Sequence, residues 1–332
     1  MTHTRRRTVT KVTLVSHTSK PLETLSLLWR VSRTNVPVDE IQNDVPDIAK
    51  LRASFRDFLA AGVPLLENLN FVFVLDNVPI SLREQMVRHR IGVVVGDNFG
   101  VDIIPELAQS TWWSQTMRVM SMEEFASGGQ YLVPETIRDN EEAWVMYESA
   151  MGDIELVYTE LLNLGIPVED ARQLIPLGAT SRISWTLNGG ALRHVLGNRS
   201  CWIAQYGLWW PVISGMLTEL SKVDSVFSEF AAPPCFKAGA YRGCEFGVEN
   251  ERRIQGDDPF PPCPLYMHWQ LEQALAYEAS HIDAVWNPLP GRPFGATWKC
   301  SKGPELVAMS QKMQQQYSMI WPAYAQEYKS YC

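Results

Sequence analysis

Between Ser200 and Thr218 the chain runs nineteen residues without a charged side chain, and four of them, Trp202, Tyr206, Trp209 and Trp210, are aromatic. Such a segment belongs either in a bilayer or in the interior of a folded core, because exposing its apolar surface to water is unfavourable. Gln205, Gly207, Pro211, Ser214 and Gly215 interrupt it, which favours a helix buried in protein over one facing lipid. The expectation is a soluble fold with no membrane partner, in which the rest of the chain encloses this segment. With 332 residues and 46% hydrophobic content there is enough material to do so, and disorder is excluded.

The charge balance narrows the partners. Twenty-nine basic against 37 acidic residues give a net charge of -8, so the chain lacks the footprint of a nucleic-acid binder. Arg5, Arg6 and Arg7 run into Thr8-Val9-Thr10-Lys11 rather than into an apolar stretch, so no signal peptide is expected and a cytoplasmic location follows. Six cysteines without a CxxC pair are expected as reduced thiols. Cys235, Cys244, Cys263 and Cys300, with His268, match no finger or ribbon spacing, and buried free thiols rather than a metal centre are the expectation.

Residues 1–10 are read as disordered, 11–223 as a catalytic domain and 224–332 as a C-terminal extension, either an appended subdomain or an interface-forming embrace of a partner subunit. Lys11–His17 alternates like an edge strand, while Pro21–Arg30 and Ile48–Ala61 have helical apolar spacing. Phe71–Leu75 reads as a buried strand bounded by Asn70 and by Asp76-Asn77, and Ile80–Arg90 as a helix. From Asn140 to Gly165, Tyr147, Met151, Ile154, Tyr158 and Leu161 share one helical face. A short helix follows through Glu169–Gln173, then a strand at Arg182–Leu187 leading through Asn188-Gly189-Gly190 into another helix. The segment from Gly92 to Gly129 is too long for an ordinary connection and is expected to be functional or interface-forming.

Three places set arginine against an apolar background. In Gln85-Met86-Val87-Arg88-His89-Arg90, a continuing helix puts Gln85, Arg88 and His89 on one face and Arg90 about 200° round from Arg88. Guanidiniums aimed at two targets suit two phosphates, although two surface salt bridges would look the same. Arg172 precedes the apolar run Leu174–Leu177, and Arg199 opens the uncharged segment. A cation there is costly without an anion, either from a ligand or from a carboxylate elsewhere in the fold; the nearest downstream acid is Glu219.

These blocks, Arg88-His89-Arg90, Ala171-Arg172-x-Leu-x-Pro176-Leu and Thr186-Leu-Asn188-x-x-x-Leu192-x-His194-x-Leu196-x-x-Arg199, followed by Ala204-Gln205, resemble the ordered signature of the flavin-dependent thymidylate synthases over about residues 11–223. Ser32 and Glu67 fall where that family places flavin-side residues. The chain also departs from the pattern. The serine expected eight residues after Arg90 is Asn98, and the best continuation is Ser114-Gln115-Thr116-Met117-Arg118, an insertion of about eighteen residues. The family histidine and threonine before Glu67 appear as Gly62 and Pro64, and His194 and Ile203 replace commoner choices.

The resemblance implies an α+β fold with a mixed or antiparallel sheet flanked by helices, assembled as a homotetramer. It implies FAD as cofactor, held by Ser32, Glu67, Arg88, His89, Arg90, Asn188 and His194, in keeping with the absence of a GxGxxG loop. It places the nucleotide on Gln85, Thr116, Arg118, Arg172 and Arg199, with Arg199, Arg172 and Thr116 at the chemistry; from position alone, Ser114 and Gln115 would offer a donor and an acceptor to the additional ribose hydroxyl of UMP. The implied reaction is C5-methylation of UMP or dUMP, with methylenetetrahydrofolate donating carbon and NADPH supplying reducing equivalents. A rebuilt loop and an extra C-terminal region would suit a UMP-accepting variant like those of polyoxin-type antibiotic pathways. The alternatives are a pyrimidine nucleotide hydroxymethylase and a non-catalytic nucleotide-binding regulator.

Overall fold

The computed structural model describes residues 9–61, 63–89, 94–95, 102–103, 110–114, 122–201, 203, 206–231, 244, 246–257, 263 and 266. They divide between two compact units, one within Met1–Ser200 and Ala204–Ala231, the other within Cys201–Ile203 and Ala232–Cys332.

The first unit is α+β. Its sheet is antiparallel throughout, with β1 (Lys11–His17) at one edge, β2 (Asn70–Pro79) and β6 (Thr180–Asn188) in the centre, and β5 (Ser110–Ser114) at the other edge. Alternation along the central strands buries Phe71, Phe73 and Leu75 of β2 and Ile183, Trp185 and Leu187 of β6. Phe73 pairs with Trp185, and Trp185 stacks on Trp112 of β5 with ring centroids 6.5 Å apart. A two-residue hairpin, β3 (Val94–Val95) with β4 (Asp102–Ile103), stands apart from this sheet.

β2 runs four residues beyond Leu75, the expected end of the strand. A register shift between Leu75 and Val78 absorbs Asp76 and Asn77, and Asn77 adopts φ 60, a left-handed conformation that asparagine tolerates. Its carbonyl accepts from the Thr10 hydroxyl at 3.0 Å and its amide donates to the Val9 carbonyl at 3.2 Å, so the bulge also ties down the chain entering β1. The turn signal at Asp76-Asn77 is real, but it bends the strand rather than ending it.

Helices α1 (Pro21–Val31), α2 (Val38–Asn43) and α3 (Ile48–Ala61) follow β1. The uncharged run begins between two helices. α8 (Gly189–Arg199) ends where the run begins, and α9 (Tyr206–Val223) takes its second half, burying Trp209, Val212, Ile213 and Met216. Gly215 lets α9 approach β1, because a Cβ there would stand 2.7 Å from the Val12 side chain. Among the described residues no helix is long and apolar enough to cross a membrane. Below the sheet Phe55 of α3 meets Phe227 and Phe230 edge-on at 5.1 and 5.3 Å. Arg52 and Arg56 of α3 pair with Asp224 and Glu229 across the same contact.

α4 (Ile80–Met86) continues from β2, α5 (Glu135–Arg138) is a single turn, and α6 (Glu141–Asn163) is the long helix read from the sequence. The expected stripe faces inward. Met151 and Tyr158 are buried with Phe125, Met122 and Tyr131, and Tyr147, Ile154 and Leu161 pack against them. The acids are not idle: Glu148 accepts from the Tyr131 hydroxyl and Glu155 from the Ala126 and Ser127 amides, fastening the 122–131 segment to α6. α7 (Val168–Ala171) and a 3-10 turn at Arg172–Leu174 replace the single short helix expected. In the second unit α10 (Gly247–Gln255) carries Asn250, fully buried, whose Oδ1 accepts from the Cys263 amide at 2.7 Å. Cys235, Cys300 and His268 lie outside the described residues.

Gly189 opens α8 directly against the 3-10 turn Pro64–Asn68, and a Cβ there would stand 2.3 Å from the Leu66 carbonyl oxygen. Because that obstacle is backbone, Gly189→Ala should destabilise the fold by about 1–3 kcal/mol, read as a lower denaturant midpoint at unchanged slope. An unaltered midpoint would show that the turn yields freely.

Candidate functional site

Three segments distant in sequence meet at Trp209. α4 stops at Met86, short of the helix expected through Arg90. Val87 caps it, and the amides of Arg88 and His89 bond to the carbonyls of Gln85 and Met86, three residues back. The tightened turn replaces the shared helical face with a sharper separation: His89 is drawn inward and half-buried while Arg88 faces solvent. Gln85 accepts at Oε1 from Trp209 Nε1 at 2.9 Å, and the His89 ring meets Trp209 edge-on at 5.6 Å and 87°.

α8 brings Arg199 and His194. Arg199 donates from Nε to His89 Nε2 at 2.9 Å, and its guanidinium carbon lies 4.7 Å from the centroid of the Trp209 ring. The His194 ring is 6.1 Å from that of His89, and the Asn198 amide nitrogen lies 3.1 Å from its Nε2. Among the described residues no carboxylate pairs with Arg199. Glu219, its nearest acid in sequence, is engaged by Lys222 and the Leu14 amide instead.

Accepting from Arg199 requires a lone pair on Nε2, which places the His89 proton on Nδ1. Burial first, then the charge of Arg199 and the neighbouring His194, lower the His89 pKa from 6.5 to about 4. An imidazole partner orients Arg199 without cancelling its charge, as a carboxylate would. The site is therefore a half-buried guanidinium, its pKa lowered by burial, flanked by the neutral rings of His89 and Trp209 and with no anion among the described residues.

The other expected residues are placed elsewhere or lie outside the description. Asn188 caps α8, its Oδ1 accepting from the Ala191 amide at 2.8 Å. Glu67 sits half-buried on the 3-10 turn packed against α8, and burial raises its pKa. Ser32 ends α1, where its hydroxyl accepts from Arg33, whose guanidinium stacks on Trp29. Arg172 is half-buried beyond α7, with no hydrogen bond or ion pair joining it to the Trp209 cluster among the described residues. Arg90, Gln115, Thr116 and Arg118 lie outside the described residues, and Ser114 is described in its backbone alone, at the end of β5. Trp209 itself was not singled out from the sequence. The available signal was an indole N–H inside an uncharged run, which needs a partner once buried.

Residues 13–223 match the family described as thymidylate synthase complementing protein, Thy1. The chain belongs to the Thy1 family. Among curated relatives, the flavin-dependent thymidylate synthase of Pyrococcus abyssi is 28% identical over 221 residues, covering 65% of this chain and 81% of that one. That of Geobacter sulfurreducens is 26% identical over 226 residues, covering 68% and 88%. The UMP/dUMP methylase PolB from Streptomyces cacaoi, bound with 5-Br dUMP, superposes with a TM-score of 0.51 at 20% identity over 68% of this chain and 95% of that chain. That likeness shows a shared fold. Every residue of the Trp209 cluster lies within the Thy1 match.

The ring of His89 should stay neutral from pH 8 to below pH 5, which its NMR carbon shifts would report. In the unfolded chain it takes up a proton near 6.5, so between about pH 4 and 6.5 the unfolded state binds more protons. Stability then rises with pH across that window, and acidification through it destabilises. His89→Gln should flatten the slope; an identical slope in wild type and variant would contradict the assignment.

Proposed function

We propose that the protein methylates C5 of a uridine monophosphate, UMP or dUMP, using FAD, methylenetetrahydrofolate and NADPH. The observation that carries this reading is Arg199, a desolvated guanidinium fixed by an imidazole and an indole and left with its full charge. As C5 of the pyrimidine becomes nucleophilic, negative charge grows on the ring. A positioned, unneutralised arginine stabilises that charge without reorganising. Arg172, without an acidic partner among the described residues, is assigned to the same nucleotide, together with Gln85, Ser114, Gln115, Thr116 and Arg118.

The residues present fit a flavin. Arg88, solvent-facing with no ion pair among the described residues, supplies a fork for a phosphate, and His89, which burial keeps neutral, and His194 are rings capable of hydrogen bonding. Arg90, Asn188, Glu67 and Ser32 complete the assigned set. When bound, the flavin supplies the hydride for reducing the transferred carbon. The protein's share is to hold the nucleotide against it, exclude water and meet developing charge.

A homotetramer is supported by the outer face of α6. Val145 and Leu156 are 60 and 71% exposed there, opposite the face that packs into the core, while Met146 and the C-cap residue Leu164, 68 and 70% exposed, lie at its flank, and Leu177 is 65% exposed. A helix apolar on both sides expects a partner on each. Light scattering should give four times the 37.6 kDa chain mass, and Leu156→Glu should lower it. A monomeric wild type would end the assembly reading.

Purified protein should be yellow and should release tritium from C5-labelled UMP or dUMP only with methylenetetrahydrofolate present, yielding a product heavier by one methyl group. Arg199→Ala and Arg172→Ala should each weaken nucleotide binding by about 1.5–3 kcal/mol, the range for a hydrogen bond to a charged group. A colourless protein with no tritium release would refute the proposal.

A further inference from the structure

Arg193 precedes His194 in α8. Its Nε is sealed from water with no hydrogen-bond partner, while its terminal nitrogens are not sealed in this way. Among the described residues it meets no carboxylate and makes no side-chain hydrogen bond, although burial lowers its pKa. Arginine stays charged throughout the range in which proteins work, so this is a partly desolvated cation that no described residue answers. Buried polar groups are almost always satisfied, and the exceptions call for a physical reason.

Glu67 is an acid on the 3-10 turn that packs against α8. Arg193 lies one helical turn beyond Gly189, on the face that abuts Leu66, and Glu67 follows Leu66. An ion pair with Arg193 would lower the Glu67 pKa, yet it is raised by burial and Glu67 forms no salt bridge among the described residues. The turn that brings the two elements together leaves both groups uncompensated. Among the described residues no anion answers Arg193, which leaves the place open to the anion of a ligand.

We propose that Arg193 is an oxyanion-binding residue, receiving a phosphate or carboxylate oxygen of a bound ligand on its terminal nitrogens beside His194. The anion site rests on Arg193 alone; which ligand brings the oxygen, the nucleotide phosphate, the flavin pyrophosphate or the folate carboxylates, rests on the methylase reading.

Inorganic pyrophosphate probes the bare site. It should raise the melting temperature of the wild type in a saturable way, with an apparent affinity at least fivefold weaker in Arg193→Gln. Arg193→Lys, which keeps the charge without the planar fork, should fall between them and supplies a second variant should Arg193→Gln fold poorly. Equal responses in wild type and Arg193→Gln overturn the assignment. The ligand is then identified from separate dissociation constants for UMP, FAD and methylenetetrahydrofolate. One of the three should weaken ten- to a hundredfold in Arg193→Gln, with the others within twofold of wild type.

Equal weakening of all three with a lower melting temperature would mark a structural role and overturn the proposal. So would a smaller oligomer in Arg193→Gln, which would place the anion on a second copy, or strong energetic coupling to Glu67→Gln, which would place it on Glu67. A wild type that binds none of the three but responds to pyrophosphate through Arg193 removes the methylase reading and leaves the anion site standing.

Discussion

Arg199 is tethered by a neutral imidazole. Had its Nε met a carboxylate, the pair would have been locally neutral, and an incoming anion would have had to compete with an internal one. Because the partner is His89, held neutral by burial and by the charge of Arg199 itself, the orienting bond costs the guanidinium none of its field. The two residues set one another's state: the arginine suppresses protonation of the histidine, and the unprotonated nitrogen is what the arginine needs as an acceptor.

That contact exists only because three elements are fixed relative to one another. β2 delivers α4 and its turn, β6 delivers α8, and α9 packs back along β1 with Trp209 buried at the junction. Asn188 and Gly189 make the hinge between β6 and α8 rigid, the first by capping the helix and the second by admitting the Leu66 carbonyl where a side chain would not fit. The antiparallel pairing of β2 with β6 puts the ends of the two strands at opposite ends of the sheet, and α4 with its turn and the three turns of α8 close the distance between His89 and Arg199.

Much of this was legible in the residues. The α6 stripe, the start of α1, the span of α3 and the strand leading into α8 follow from periodicity and from turn chemistry, both local properties. Gln85, His89, His194 and Arg199 were expected to share a site, and the fold brings them together around one indole. The end of α4 was missed because the apolar spacing continues past Met86 while the backbone tightens, a change that packing imposes and periodicity does not record. Trp209 and Arg193 were missed for a related reason. What distinguishes them is whether a polar atom finds a partner after burial, and that depends on residues more than a hundred positions away or, for Arg193, on none within the described chain.

The described arginines of the first unit divide accordingly. Arg30, Arg52, Arg56, Arg83, Arg138 and Arg182 each reach a carboxylate, and Arg33 lies on Trp29. Arg88, Arg172, Arg193 and Arg199 reach none among the described residues, and all four lie on or beside the segments that resemble the flavin-dependent family. Scarcity of acid is not the cause, since the chain carries 37 acidic residues against 29 basic ones. Among the described residues carboxylates are kept away from these four, at a cost in stability for the half-buried ones. A ligand's own charge would offset such a cost, so the pattern of pairing, rather than the number of arginines, is what supports the proposed binding site.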